Sequence, residues 1–215
     1  MPPVVEQLEL GPIGTNCYLV RRDRDASEAI VVDPSGEPET IQRRLAELGA
    51  SCVAVLITHG HWDHLVAVAD LADATGARVH MAEDERVLLE NPAAYAPPNV
   101  EIRPHTPEVL LHGGESLELA GMTLEVAPVP GHSPAHLAYY ADGALFSGDV
   151  LFAGSVGRTD LPGADWETLL ASIRSLVDTY SPGTIVYPGH GPATTLGVEL
   201  KSNPFLGELR AERQA

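Results

Sequence analysis

Histidine and aspartate crowd one short stretch of this chain, His59-Gly60-His61-Trp62-Asp63-His64. Its four metal-competent side chains directly follow the apolar run Val53-Ala54-Val55-Leu56-Ile57. Imidazole nitrogens suit zinc, iron and related metals, and a carboxylate adds an anionic oxygen. His59 and His61, two residues apart, can turn to one ion, and Asp63 and His64 can turn to a second. The spacing differs from the H-E-x-x-H pattern, which sets two histidines on one helical face. Here the tight spacing and Gly60 predict a loop. The stretch reads as the heart of a two-metal centre in a metallohydrolase.

Three later segments supply further ligands. Pro130-Gly131-His132-Ser133-Pro134-Ala135-His136 follows the strand-like run from Met122 to Val129. Ser147-Gly148-Asp149 follows Ala144-Leu145-Phe146, and Pro188-Gly189-His190-Gly191 follows Thr184-Ile185-Val186-Tyr187. Each apolar run ends at a glycine beside a His or Asp, and glycine permits the sharp turn and close approach that a metal loop needs. Such strand ends converge only if the strands share one side of a sheet system.

The elements that must position these loops follow two similar halves. Val4 to Leu10, Asn16 to Arg21 and Ala29 to Asp33 read as strands. Glu37 to Leu48 carries a helical pattern, with Ile41, Leu45 and Leu48 on one face and Gly49 as its stop. The strand Val53 to Thr58 leads into the metal loop. A helix from Leu65 to Ala74, a strand from Arg78 to Met81 and a short helix from Asp84 to Asn91 follow. The proline-rich stretch Pro92 to Pro107 reads as a loop. The second half has strands from Ser116 to Val129, Leu137 to Tyr140 and Ala144 to Ser147. A helix from Asp165 to Thr179 and a strand from Thr184 to Tyr187 close it. Strands then helix, twice, predict two packed sheets with helices outside.

Composition fits a globular enzyme. The 215 residues suffice for a full core in one domain. No apolar run reaches the ~20 residues of a membrane span. Met1-Pro2-Pro3-Val4-Val5-Glu6 lacks the basic and apolar regions of a signal peptide, so a cytoplasmic protein is expected. Cys17 and Cys52 imply no disulfide framework and read as small buried hydrophobes. Thirty acidic against thirteen basic residues give a net charge of −17. Such a surface repels phosphate backbones, so no nucleic-acid partner is expected.

In the order H-x-H-x-D-H, P-G-H-S-P, S-G-D and P-G-H-G, the chain resembles the metallo-β-lactamase superfamily. More narrowly it resembles the glyoxalase II-like thioesterase branch in its short, single-domain bacterial form. Gly14-Thr15-Asn16-Cys17-Tyr18-Leu19-Val20, Val31-Val32-Asp33-Pro34, Gly154-Ser155-Val156-Gly157-Arg158-Thr159-Asp160 and Asn203-Pro204-Phe205-Leu206 fit that branch. The resemblance spans nearly the whole chain, residues 1–215. It implies an α/β fold, an αββα sandwich of two mixed sheets with helices on the outer faces. It assigns His59, His61 and His132 to one metal and Asp63, His64 and His190 to the other, with Asp149 bridging. Asp63 and a metal-bridging hydroxide would be the catalytic groups. The cofactor would be two divalent ions, zinc first, with iron or manganese as alternatives. The substrate would be a small-molecule thioester such as S-lactoylglutathione. The acidic charge counts against the nuclease branch of the superfamily.

Flanking residues carry lesser expectations. Thr58 and Ser133 are placed either behind the ligand imidazoles or as loop caps. His136 is expected behind the ligands rather than among them, and Asp33 to anchor the metal loop through backbone N–H groups. His80, His105 and His112 read as structural or exposed, and Trp62 as a wall of the cleft. The longer glyoxalase II enzymes bind glutathione through a C-terminal helical region with basic residues, and too few residues follow His190 for that region. Arg158 is then the candidate for a substrate carboxylate, with a salt bridge to Asp160 as its competing role; Lys201 is a weaker candidate. Three other functions stay open: a mononuclear iron persulfide dioxygenase using His59, His132 and Asp149; a β-lactamase or lactonase; and a metal-bound binding module. The sequence gives neither the acyl group nor the oligomeric state.

Overall fold

The computed structural model describes residues 2–213. Two six-stranded mixed sheets form its centre. The first holds, in spatial order, β1 (Val4–Leu10), β2 (Thr15–Arg21), β3 (Glu28–Val32), β4 (Ser51–Leu56), β5 (Arg78–Ala82) and β6 (Val109–Leu111). Its first three strands pair antiparallel and its last four parallel. The second sheet runs from β7 (Ser116–Leu119) through β8 (Met122–Pro128) and β9 (Leu137–Ala141) to β10 (Ala144–Gly148). After the small hairpin β11 (Leu151–Phe152) and β12 (Ser155–Val156), the chain returns to that sheet as β13 (Ile185–Pro188) and β14 (Thr194–Thr195). β10 and β13 pair parallel, and the sheet's other pairs are antiparallel.

Successive strand residues point to opposite faces, so a strand buried on both faces is apolar throughout. β2 shows this. Tyr18 and Val20 face the second sheet and meet Leu124, Val126, Tyr139 and Phe146. Cys17 and Leu19 face outward and join a core with Ile41 and Leu45 of helix α1 (Pro38–Glu47). Beyond the second sheet, Ala138, Leu145 and Val186 pack on Leu169, Ile173 and Leu176. The layers are therefore helix, sheet, sheet, helix, as the resemblance implies.

Local signals set the helix ends. Pro38 at the first turn of α1 follows Glu37 in a left-handed conformation, and the helix stops before Gly49. Between α1 and β5 lie the short α2 (Trp62–Leu65) and α3 (Val68–Thr75). A 3₁₀ turn (Glu83–Glu85) and α4 (Arg86–Glu90) follow β5. In the second half, α5 (Trp166–Thr179) is capped by Asp165, whose side chain accepts the Thr168 N–H. The helices α6 (Leu196–Ser202) and α7 (Gly207–Glu212) close the chain. No helix among the described residues is long and apolar enough to cross a membrane.

Two expectations are corrected, and one strand was not foreseen. The helix over Leu65 to Ala74 is two helices, broken at Ala67, whose φ of −107° and ψ of 8° leave the helical region. The metal loop is not loop throughout. His61 is extended, and Trp62, Asp63 and His64 form the first turn of α2. β6 carries no sequence signal, because it is three residues long and follows the proline-rich stretch.

Candidate metal centre

Every segment of the sequence cluster arrives at one edge of the sandwich. β3, β4 and β5 run parallel, so Asp33, His59 and Glu85 follow their carboxyl ends. β2 is antiparallel to β3, which brings its first residue, Thr15, to the same edge. In the second sheet β10 and β13 run parallel, and β8 shares their direction across β9. Asp149, His190 and His132 follow those carboxyl ends. Open α/β sheets place their ligands there.

Two donor sets form. Nε2 of His59 lies 3.0 Å from Nδ1 of His61, which lies 2.9 Å from Nε2 of His132. In the second set, Asp63 Oδ2 stands 3.3 Å from Nε2 of His64 and 3.3 Å from Nε2 of His190. The donor atoms of each set lie within 4.8 Å of one another. Ligands at tetrahedral zinc distances sit ~3.3 Å apart, close to this spacing. Asp149 reaches both sets: its Oδ2 is 3.5 Å from His132 Nε2 and 3.6 Å from His190 Nε2.

The protons follow from what stands behind each ring. His132 Nδ1 faces the Arg158 carbonyl at 2.8 Å, so it carries the hydrogen and Nε2 is an acceptor. His64 Nδ1 faces Asp33 Oδ2 at 2.9 Å, which leaves its Nε2 as an acceptor too. That buried Nε2 and the buried Asp149 Oδ1 have no hydrogen-bond partner, yet they face each other at 3.5 Å. A proton or a metal ion between them satisfies both, and with Nδ1–H held by Asp33 the Nε2 lone pair is free to ligate, so the donor set fits metal ions.

The electrostatics point the same way. Burial, with neighbouring imidazoles, pushes His59 well below its ordinary value and His61 down to about 4, so both are neutral, as ligands must be. Burial opposes ionisation of Asp63 and Asp149, but His64 and the other rings beside them hold both below the usual carboxylate range. Burial also opposes a charge on His64, but Asp63, Asp33 and Asp149 outweigh it and raise that ring well above its ordinary value. Three carboxylates around one ring mark a locus that attracts positive charge.

The flanking residues divide. Asp33 accepts from Thr58 N at 2.8 Å, as expected of an anchor, and also from Thr58 Oγ1 at 2.7 Å. Thr58 Oγ1 is 3.1 Å from His59 Nδ1, so Thr58 stands behind a ligand. The buried Ser133 hydroxyl has no partner and supports no ligand. His136 stacks on His59 at 4.5 Å, and its Nε2 accepts the Asp149 N–H at 3.1 Å. His80 is buried with Nδ1 toward the Arg78 carbonyl, His105 lies by Glu108, and His112 is exposed. Trp62 packs partly buried on the first core. The guanidinium of Arg158 is exposed and paired with both oxygens of Asp160, at 2.6 and 2.7 Å. Lys201 is exposed on α6.

Three residues at the site carried no assigned role in the sequence. Thr15 Oγ1 donates to Asp63 Oδ2 at 2.7 Å, Asn16 holds the loop around His190, and Glu85 holds the loops of His59 and His132. Thr15 and Asn16 lie in a run that fits the thioesterase branch, which was their signal. Glu85 has none, since an acidic residue between a strand and a helix reads as surface. Cys17, two residues beyond Thr15, is core and touches no ligand.

Comparison with known proteins agrees with this geometry. The chain is 34% identical over 210 residues to the hydroxyacylglutathione hydrolase GloC of Haemophilus influenzae, covering 94% of this chain and 97% of that protein. It superposes on the B3 metallo-β-lactamase BLEG-1 with a TM-score of 0.89 and 39% identity, over 95% of this chain and all of that one. It superposes on TTHA1623 in a di-iron-bound form with a TM-score of 0.76 and 38% identity, over 94% of this chain and all of that one. The family model described as the metallo-beta-lactamase superfamily matches residues 10–190. With its donor sets suited to a dinuclear centre at the shared sheet edge, the chain belongs to the metallo-β-lactamase superfamily.

Proposed function

We propose that this protein is a metal-dependent hydrolase that cleaves thioesters of small thiols, S-lactoylglutathione or a close relative, at a centre of two divalent ions. His59, His61 and His132 hold one ion, Asp63, His64 and His190 hold the other, and Asp149 serves both. The observation that carries this reading is the Asp149 carboxylate, within 3.6 Å of ring nitrogens from both sets. The name of the Haemophilus influenzae relative supports the thioester class. The nitrogen and oxygen donors suit zinc, and the di-iron-bound neighbour makes iron the alternative.

Divalent ions held there would lower the pKa of a bound water from about 15.7 toward about 7 and would polarise an acyl carbonyl. The chain's residues do the rest. Asp63 and Asp149 offset the cationic charge. Thr15 donates to Oδ2 of Asp63, and that oxygen with Nε2 of His64 and of His190 would face the second ion, which leaves Oδ1 to orient a water proton. Held below the usual carboxylate range, Asp63 orients that proton rather than keeping it. A thiolate leaves without full protonation, so the site needs no strong general acid. Arg158 exchanges Asp160 for a substrate carboxylate.

The test is steady-state hydrolysis of S-lactoylglutathione by metal-loaded protein, lost on chelation and restored by metal. A second reading, β-lactam hydrolysis, is favoured by the likeness to BLEG-1. Turnover of nitrocefin without thioester turnover would select it. Oxygen uptake with glutathione persulfide, and hydrolysis of neither the thioester nor the β-lactam, would overturn both.

A further inference from the structure

Two side chains outside the ligand sets clamp ligand loops, Glu85 beside the three histidines of the first set and Asn16 at the loop of His190. Glu85 ends the turn after β5 and is buried. Its Oε2 accepts the Gly60 N–H at 2.5 Å and its Oε1 the Ala135 N–H at 2.9 Å. Gly60 separates His59 from His61, and Ala135 lies in the loop that runs from His132. One carboxylate thus spans both backbone segments that present the three histidines. Bonds from N–H groups to a carboxylate are stronger than neutral ones. Leu88 of α4 closes on the same loop: a Cβ at Gly60 would meet its Cδ1 at 2.3 Å.

Asn16 does the corresponding work across the cleft. Its Nδ2 donates to the carbonyls of Pro188 and Gly191, each at 2.8 Å, which bracket His190. Its backbone N–H donates to Gly189 O at 2.7 Å, and its Oδ1 accepts from Gln7 Nε2 at 2.7 Å. The amide is therefore fixed at both ends. Among the described residues, Glu85 grips the shared His59–His64 stretch at Gly60, between its two histidines of the first set, whereas the Asn16 side chain grips the loop of His190 alone among the ligand loops.

We propose that Glu85 is the positioning residue of the His59, His61 and His132 site and that Asn16 positions His190 of the Asp63, His64 and His190 site. The affinities for the two ions are then set by separate residues. This rests on the two-site reading above.

The experiment measures zinc dissociation constants by competition with a chromophoric chelator in two backgrounds. His190→Ala leaves the three-histidine set, and His61→Ala leaves the other. Each background binds one zinc. Glu85→Gln weakens zinc about 10–100-fold in the His190→Ala background and by less than about threefold in the His61→Ala background. Asn16→Ala gives the reverse pattern. Glu85→Asp, too short to span both N–H groups, reproduces the Glu85→Gln result and replaces it if that variant does not fold. Equal weakening in both backgrounds, as a merely structural role gives, overturns the proposal, and so does unchanged affinity in both. Failure of either background to bind one zinc is a separate result. It overturns the two-site reading, and the proposal with it, before any clamp is altered.

Discussion

Asp33 Oδ2 receives both the Nδ1–H of His64, at 2.9 Å, and the hydroxyl of Thr58, at 2.7 Å. One carboxylate at the end of β3 thereby fixes the tautomer of a ligand in one set and, through Thr58, braces His59 of the other. It does so from a left-handed backbone, with φ of 49°, a conformation that aspartate tolerates better than most residues. Asp33→Ala frees the His64 ring and weakens metal binding about 10–100-fold. Chelator competition on the purified variant checks this. Unchanged affinity would mean that the ring is held by its packing alone.

Asp149→Ala removes a carboxylate within reach of both sets. Metal content falls from two ions per chain to one or fewer, and hydrolysis falls at least about 100-fold. Elemental analysis after gel filtration reads the first and steady-state kinetics the second. His112→Ala, at an exposed ring outside both sets, changes neither.

Gly189→Ala tests close approach. A Cβ there would stand 2.1 Å from Asp149 Oδ1 and 2.8 Å from His64 Cε1. The methyl group displaces Asp149 and His64 by about 1 Å, enough to cost about 100-fold in kcat/KM. Far-UV circular dichroism stays unchanged, because the backbone of Gly189 suits any residue.

Arg158→Ala raises KM for S-lactoylglutathione up to about fivefold and leaves kcat nearly unchanged, as an exposed ion pair lost from ground and transition states alike. The limit is modest because the guanidinium must first leave Asp160. The Arg158 carbonyl, which holds His132, survives the substitution. A fall in kcat equal to the rise in KM would assign the loss to the His132 loop.

The cap of α5 carries a pH signature. The hydroxyl and N–H of Thr168 lower the pKa of Asp165 below its ordinary 3.8. A depressed carboxylate stabilises the fold above its unfolded pKa and loses that contribution as pH falls through the folded value. Asp165→Ala therefore lowers Tm by about 2 °C near neutral pH. The gap from wild type closes as pH falls through the depressed folded value. Differential scanning calorimetry of metal-replete protein against pH reads the gap, and a gap that persists in acid would deny the carboxylate its part in the cap.

The clustered histidines and aspartates were legible in the chain because metal-competent side chains are few in kind and sit on short motifs after apolar runs. His59, His61, Asp63 and His64 mark themselves, and His132, Asp149 and His190 each follow a glycine at a strand end. The four-layer fold was legible too, since hydrophobic periodicity is local and separates strands from helices. What surrounds the ligands was decided by the tertiary structure. Asp33 showed itself as a loop anchor, but its bond to His64 spans thirty-one residues of chain. Glu85 holds Ala135 across fifty, and Asn16 holds Gly191 across one hundred and seventy-five. A carboxylate or amide buried at such a junction is written in the sequence like one on the surface. Its partners are backbone N–H and C=O groups, which every residue carries, so side-chain type does not encode them. Packing the two sheets brings the strand ends to one edge and selects which polar side chains meet which loops.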